Sequence, residues 1–216
     1  MTQNNFAEKL ARISLESGAI KISPDQPFLW ASGYKMPIYN DNRLLLGNAE
    51  HRALISRGFE DLLKKCSAKV EVIAGTATAG IPHATTLADL LQLPLIYIRS
   101  AAKTHGMGKR VEGPLRKNQQ VLVIEDLIST GKSAANAVSA IREAGGRVNQ
   151  CFSIFSYGFT EAKEKFNDIS CEIHSILNFS QLLEVALSTQ NLTTNDIAVL
   201  QSWQTNPFKW AKNKDL

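Results

Sequence analysis

One stretch decides the fold: residues 121–133 read Val-Leu-Val-Ile-Glu-Asp-Leu-Ile-Ser-Thr-Gly-Lys-Ser. Its first four residues, 121–124, are apolar and predict a strand buried on both faces of a parallel sheet. Two acids, Glu125 and Asp126, follow this predicted strand, and a short loop then leads into a helix predicted over 130–144. Ligands of open α/β sheets bind beyond the carboxyl ends of the strands, so this junction is predicted to be a binding site.

Strands and helices alternate on both sides of this stretch. The pattern predicts further strands at 70–74, 94–98 and 148–155, and helices at 5–17, 48–65, 82–91 and 180–210. Asn48 stands where the helix at 48–65 needs an N-cap. Alternation of this kind predicts the α/β class, with a central parallel sheet flanked by helices.

The loop after the two acids has the chemistry of a phosphate site. Ser129, Thr130 and Ser133 carry hydroxyl donors, and Gly131 lets the backbone approach a ligand closely. Free N–H groups at a helix start also favour a phosphate. The acids repel phosphate, but they suit the two hydroxyls of a ribose or the water shell of a magnesium ion.

Gly131-Lys132-Ser133 imitates the end of a nucleoside triphosphatase P-loop. That motif needs a glycine five positions before Gly131, where this chain has Asp126. The P-loop interpretation is therefore excluded. A plain helix cap would explain one or two of the polar residues, but not two adjacent acids after an apolar strand.

Composition limits the class of protein. The 216 residues are 44% hydrophobic and 20% charged, with a net charge of +4, which suits an anionic small molecule or a nucleic acid. The sequence contains no block of five or more like charges, which weakens the nucleic-acid interpretation. It also contains no apolar run long enough to predict a membrane span, and its N-terminus has no signal-peptide pattern. Cys66, Cys151 and Cys171 are widely spaced and are expected to be reduced thiols, which predicts a cytoplasmic location.

Residues 121–133 resemble the phosphoribosyl pyrophosphate (PRPP) signature of the type I phosphoribosyltransferases. Three other motifs, in the right order, resemble those of the orotate phosphoribosyltransferases in that family. They are an N-terminal element with Phe28, Ser32-Gly33, residues 37–41 and Arg43; a pyrophosphate loop at 75–82; and a mobile loop with Arg99, Lys103, His105, Gly106 and Glu112-Gly113.

The resemblance implies a fold and an assembly. The fold is a five-stranded parallel core with a hood, which is the part of residues 1–47 that follows the N-terminal helix. The implied division is 1–47 for the N-terminal helix and hood, 48–177 for the α/β core, and 178–216 for a C-terminal helical segment packed on either. A homodimer is also implied, in which the loop at 99–113 reaches the neighbouring site.

The implied reaction is magnesium-dependent: orotate N1 attacks C1 of the PRPP ribose and pyrophosphate leaves. The predicted catalytic residues are Arg99, Lys103, His105 and Asp126, and Gly106 and Gly108 give the loop freedom to close. The predicted PRPP-binding residues are Arg99, Lys103, His105, Glu125, Asp126, Leu127, Ile128, Ser129, Thr130, Gly131, Lys132, Ser133, Thr76 and Ala77. The predicted orotate-binding residues are Ser129, Phe28 and Tyr39, and magnesium is held by PRPP, with Glu125 and Asp126 as possible contacts through water.

Four positions lack a cation that some family members carry. They are Ala31, Ala79, Ser100 and Tyr157. A phosphoribosyltransferase for another base is therefore one alternative. A nucleic-acid-binding regulator on the same fold is a second alternative, although the sequence has neither a helix-turn-helix pattern nor a clustered basic stripe.

Overall fold

The computed structural model describes residues 6–30, 33–67, 69–101 and 110–213. The helices are α1 (Phe6–Glu16), a 3-10 helix (Asn42–Gly47), α2 (Ala49–Cys66), α3 (Gly80–Leu91), α4 (Lys132–Glu143), α5 (Thr160–Asp168), α6 (Phe179–Ser188), α7 (Thr194–Thr205) and α8 (Pro207–Asn213). The strands are β1 (Ile20–Ile22), β2 (Phe28–Leu29), β3 (Lys35–Met36), β4 (Ile38–Asn40), β5 (Val72–Thr76), β6 (Leu95–Ile98), β7 (Val111–Glu112), β8 (Gln120–Ile128), β9 (Arg147–Ser156) and β10 (Glu172–Asn178). None of the helices in these ranges is long and apolar enough to cross a bilayer.

A six-stranded sheet in the order β10-β9-β8-β5-β6-β7 forms the centre of the fold. Its first five strands are parallel, and the short β7 pairs antiparallel with β6 at one edge. Every residue of β5 is buried, as expected for a parallel strand covered on both faces. The predicted α/β class and five-stranded parallel core are confirmed.

Alternation along β8 divides the core between the two faces of the sheet. Leu122 and Ile124 join the hydrophobic cluster that contains residues of α1, α2, α3 and α6. Val121 and Val123 join the cluster built with α4 and α5. Because successive side chains of a strand point to opposite faces, one apolar strand supplies both cores.

The predicted end of the central strand is wrong. β8 continues to Ile128, which pairs with Ser156 of β9. Its pairing with β5 ends earlier, where Ile124 pairs with Gly75. The two acids therefore lie inside the strand, because the long β9 still satisfies the backbone there. Helix α4 begins two residues later than predicted, since Gly131 has a left-handed φ of 72°.

The hood consists of two small antiparallel sheets and the 3-10 helix. Strands β2 and β3 form a hairpin, and β1 pairs with β4. The predicted turn between β2 and β3 is closed by the Gly33 N–H, which donates to the Trp30 carbonyl at 2.9 Å, and Gly33 has a φ of 83°. Ala31 and Ser32 lie outside the described residues.

Trp203 joins the C-terminal helices to the hood and the core. Its side chain is fully buried, and its ring lies 5.5 Å from Tyr157 and 6.4 Å from Trp30 between centroids. Its indole N–H points to the Met36 sulfur at 3.1 Å. Hood, sheet and C-terminal segment therefore share one hydrophobic cluster.

We predict that Trp203→Ala lowers the free energy of unfolding by about 3–5 kcal/mol, because it empties the largest fully buried side-chain volume in the described core. Urea denaturation followed by circular dichroism measures the loss. Leu90→Ala, at a half-exposed position of α3, is the control and should cost less than about 1 kcal/mol. Equal losses in the two variants would contradict the role of Trp203.

Candidate active site

The predicted site residues at the ends of β5, β6 and β8 lie at one edge of the sheet. Strands β5, β6 and β8 are parallel and end at Thr76, Ile98 and Ile128, so the segments that follow them leave from the same edge. These segments are the predicted pyrophosphate loop, the mobile loop and the phosphate loop. The fold thus brings together three motifs that are separated in the sequence.

Glu125 is a buried acid at this edge, with only 6% of its surface exposed. Its Oε1 accepts a hydrogen bond from the Thr76 hydroxyl at 2.6 Å and another from the Asp126 N–H at 3.1 Å. Its Oε2 is buried and has no hydrogen-bond partner among the described residues. Burial, with a smaller contribution from the neighbouring Asp126, raises the pKa of Glu125 from 4.5 to about 8, while the bond from Thr76 opposes the rise.

Asp126 is connected to the hood through Asn42. The Asn42 Nδ2 donates to the Asp126 carbonyl at 2.8 Å across 84 residues of sequence, and Asn42 is buried. The Asn40 amide donates in turn to the Asn42 Oδ1 at 3.2 Å. Asn42 was not predicted as a site residue, although it lies between Asp41 and Arg43 of the hood motif.

Asp41 and Arg43 form an ion pair on either side of Asn42. The Arg43 Nε and Nη2 lie 2.6 and 2.9 Å from the two Asp41 carboxylate oxygens. The hydrogen bond from Arg43 lowers the pKa of Asp41, so that carboxyl stays ionised. The pair is largely solvent-exposed on the arginine side and adds little to stability.

The phosphate loop has a backbone geometry that requires glycine. Gly131 has a left-handed φ, and a Cβ there would lie 3.1 Å from the ring of Phe166. Its carbonyl accepts from the Ala135 N–H at 2.9 Å, which starts α4. Lys165 of α5 donates to the Thr130 carbonyl at 3.1 Å and places a cation beside the loop. Lys165 was not predicted, because its sequence position on α5 carries no signal.

The pyrophosphate loop begins at the end of β5. The Ala77–Thr78 peptide bond is cis, and the Ala77 N–H donates to the Ile98 carbonyl at 2.8 Å. A Cβ on Gly80 would lie 2.5 Å from both the Thr76 hydroxyl oxygen and the Ile124 carbonyl oxygen. Only glycine fits there, so this loop is packed tightly against β8.

The mobile loop has a short β stem. The Arg99 N–H donates to the Arg110 carbonyl at 2.9 Å, and the Arg110 Nε donates to the Arg99 carbonyl at 3.2 Å. The Arg99 guanidinium lies 3.6 Å from the Glu112 carboxylate. Lys103 and His105, with Gly106 and Gly108, lie outside the described residues, so their predicted roles stay predictions.

The predicted base-binding aromatics are neighbours in the hood. The rings of Phe28 and Tyr39 lie 6.0 Å apart between centroids, and each side chain is partly exposed. Tyr157, at a position where some relatives carry a cation, is instead 1% exposed within the aromatic cluster around Trp203. Burial raises the pKa of Tyr157, and its side chain packs the core.

No group of three acids, histidines or cysteines in the described ranges can hold a metal ion. Glu125, with its raised pKa, is mostly protonated at pH 7 and is a poor ligand for a hard cation. Asp126 is only partly buried and is the acid at this edge that could contact the water shell of a magnesium ion. His83, buried on α3, has a pKa lowered to about 4 by burial and is neutral at pH 7.

Comparison with known proteins agrees with this geometry. Residues 47–185 match the model of the phosphoribosyl transferase domain. The chain is 46% identical to an orotate phosphoribosyltransferase of Listeria innocua, over 96% of this chain and all of the relative. It also resembles two solved structures: the orotate phosphoribosyltransferase of Aeropyrum pernix, with a TM-score of 0.72 and 28% identity over 81% of this chain and 96% of that one, and the UMP synthase of Leishmania donovani, with a TM-score of 0.77 and 25% identity over 92% of this chain and 42% of that one.

We predict that Glu125→Gln stabilises the ligand-free protein increasingly as the pH rises. The unfolded carboxyl releases its proton near pH 4.5, whereas the folded one keeps it to about pH 8, so the wild type loses stability across this range. The advantage of the variant should grow from about pH 5 to about pH 9, to a limit of roughly 5 kcal/mol. Urea denaturation at several pH values measures it. Glu164→Gln, on the exposed face of α5, is the control and should give no such trend; a pH-independent difference for Glu125→Gln would refute the assignment.

Proposed function

The chain belongs to the orotate phosphoribosyltransferase family, and we propose that the sheet edge around Glu125 and Asp126 carries out the family's reaction. The enzyme transfers the 5-phosphoribosyl group from PRPP to orotate, which gives orotidine 5′-phosphate and pyrophosphate in the synthesis of pyrimidine nucleotides. It is a phosphoribosyltransferase, and so a glycosyltransferase.

The single observation that supports this site is the pair of acids held inside β8, directly before the phosphate loop. Thr76 fixes one carboxyl, and Asn42 fixes the backbone of the other acid. A sugar phosphate needs both parts: carboxyl groups that form hydrogen bonds with the diol, and N–H and hydroxyl donors for the phosphoryl oxygens. We place the ribose at Glu125 and Asp126 and its 5-phosphate at residues 127–133.

The chemical problem is charge separation. Breaking the C1–O bond creates positive character on the ribose and negative charge on the departing pyrophosphate. Arg99, at the stem of the mobile loop, and Lys103 and His105 within it would neutralise the leaving group. Arg99 has to exchange its contact with Glu112 for the pyrophosphate, which closure of the loop would allow.

The base would lie between the phosphate loop and the hood. Ser129 would contact it from the loop, and Phe28 and Tyr39 would border its ring from the hood. Tyr157 cannot supply a cation, so the orotate carboxylate would be bound by backbone N–H groups and hood polar groups. The contact between Asn42 and Asp126 supports this arrangement, because it holds the hood beside the acids.

Magnesium would be bound with PRPP and would supply charge neutralisation at the pyrophosphate. Asp126 would hold its water shell and orient the sugar that carries it. The protein residues would still bind, align and enclose the substrate, so excluding water from the activated sugar remains their task.

A homodimer in the cytoplasm is the proposed state of the protein. Membership in this family supports an assembly in which the loop at 99–113 reaches the partner's site. The three cysteines are free thiols in the structure, which agrees with a reducing compartment.

We predict that the protein releases pyrophosphate from PRPP with orotate at least about 100-fold faster than with uracil, adenine or hypoxanthine. A coupled pyrophosphate assay with magnesium measures the rates. Removing magnesium with EDTA should abolish turnover, and adding it back should restore it. Turnover with another base but not with orotate would overturn the assignment.

We predict that Lys103→Ala and Asp126→Asn are each nearly inactive yet stable, because each removes a charge from the proposed site and Asp126 is only partly buried. If the loop acts on the partner's site, mixing the two variants should restore about one quarter of wild-type activity, since half the dimers are hybrids with one intact site. Refolding or subunit exchange followed by the same assay tests this. Mixtures no more active than either variant would contradict the shared site.

A further inference from the structure

A row of polar residues crosses the buried sheet at the level of Glu125. The backbone register places Ser153 of β9 beside Glu125, and Ser175 of β10 beside Ser153. On the other side, Thr76 of β5 is one step beyond the last registered pair, Gly75 with Ile124, and so stands next to Glu125. Polar side chains are costly in a sheet interior unless they are hydrogen-bonded to one another, so the partner of each side chain indicates its role.

The two serines satisfy each other. Their hydroxyl oxygens are 2.7 Å apart, which leaves Thr76 as the neighbouring-strand partner of Glu125. The Thr76 hydroxyl has one proton, and this proton is directed to the Glu125 Oε1 at 2.6 Å, with the Ile124 carbonyl farther away at 3.2 Å. Only 2% of Thr76 is exposed, and in this arrangement the one proton of its hydroxyl is used for Glu125.

We propose that Thr76 is a positioning residue for ribose binding: its hydroxyl fixes the Glu125 Oε1, so that Oε2 is held ready for a hydroxyl of the sugar. This inference rests on the proposed function. It gives Thr76 a different role from the direct contact with PRPP that the sequence predicts. The free Oε2 supports it, because a buried carboxyl oxygen with no bond among the described residues gains one when a diol arrives.

The surrounding backbone keeps this pair in place. Gly80 approaches so closely that a Cβ would lie 2.5 Å from the Thr76 hydroxyl oxygen and from the Ile124 carbonyl oxygen. The start of α3 therefore packs directly against the threonine hydroxyl. A hydroxyl that only filled space in the core would not need a carboxylate partner at 2.6 Å.

The test separates substrates that contain the ribose from those that do not. Thr76→Val removes the hydroxyl and keeps the shape of the side chain. It should raise KM for PRPP in the forward reaction, and for orotidine 5′-phosphate in the reverse reaction, by about ten- to hundredfold. KM for orotate and for pyrophosphate should change less than about threefold, since neither contains the sugar that Glu125 would bind.

Matched variants make the result decisive. Thr76→Ser keeps the hydroxyl and should stay within about threefold of wild type. Thr86→Val removes a hydroxyl that bonds within α3 and should leave every KM unchanged. If Thr76→Val does not fold, as judged by its melting temperature, Thr76→Ala is the second hydroxyl-free variant.

The possible outcomes are distinct. A rise in KM for pyrophosphate alone would mean that Thr76 contacts the leaving group, and it would overturn the inference. Equal effects on all four substrates, or no effect, would also overturn it. These results refute only the role of Thr76 when the wild-type enzyme turns over orotate; a wild type without that activity would refute the proposed function itself.

Discussion

Burial of the Glu125 carboxyl group is the constraint on which the rest of the site depends. A charged carboxylate in a sheet interior is costly, and the raised pKa of Glu125 reports this cost. The protein meets it with a hydroxyl from the next strand and an N–H from the next residue. Both donors lie beside the carboxyl because β8 continues beyond its last pair with β5, held by its pairing with β9. The environment of Glu125 therefore depends on where β5 and β8 end.

The hood is held in place by two different kinds of contact. On the polar side, Asn42 bonds to the Asp126 carbonyl and connects the hood directly to the signature stretch. On the apolar side, Trp30 packs on Tyr157 and Trp203, so the hood shares its core with the C-terminal helices. A polar contact gives direction, and an aromatic cluster gives stability. Together they fix the hood against the edge of the sheet that carries Glu125 and Asp126.

The missing cations have a structural explanation at one position. Tyr157 packs in the aromatic cluster, and its carbonyl accepts a hydrogen bond from the Gln204 side chain at 2.6 Å. A cation could not replace that ring without leaving a cavity and a buried charge. Lys165, from α5, instead brings a positive charge to the phosphate loop. A positive charge from Lys165 therefore lies beside the phosphate loop, although Tyr157 supplies none.

The sequence by itself determined the class of fold and the alternation of strands and helices between Val70 and Phe155, because these follow from local apolar patterns and turn residues. It did not indicate α5 or β10, and the site that it predicts at 121–133 remains a prediction. It did not determine that β8 includes Glu125, since the apolar pattern stops at Ile124 while the hydrogen bonds to β9 continue. Nor could it find Asn42 or Lys165, or assign Thr76 to Glu125. Those contacts depend on strand register and burial, which arise only when segments far apart in the chain pack together.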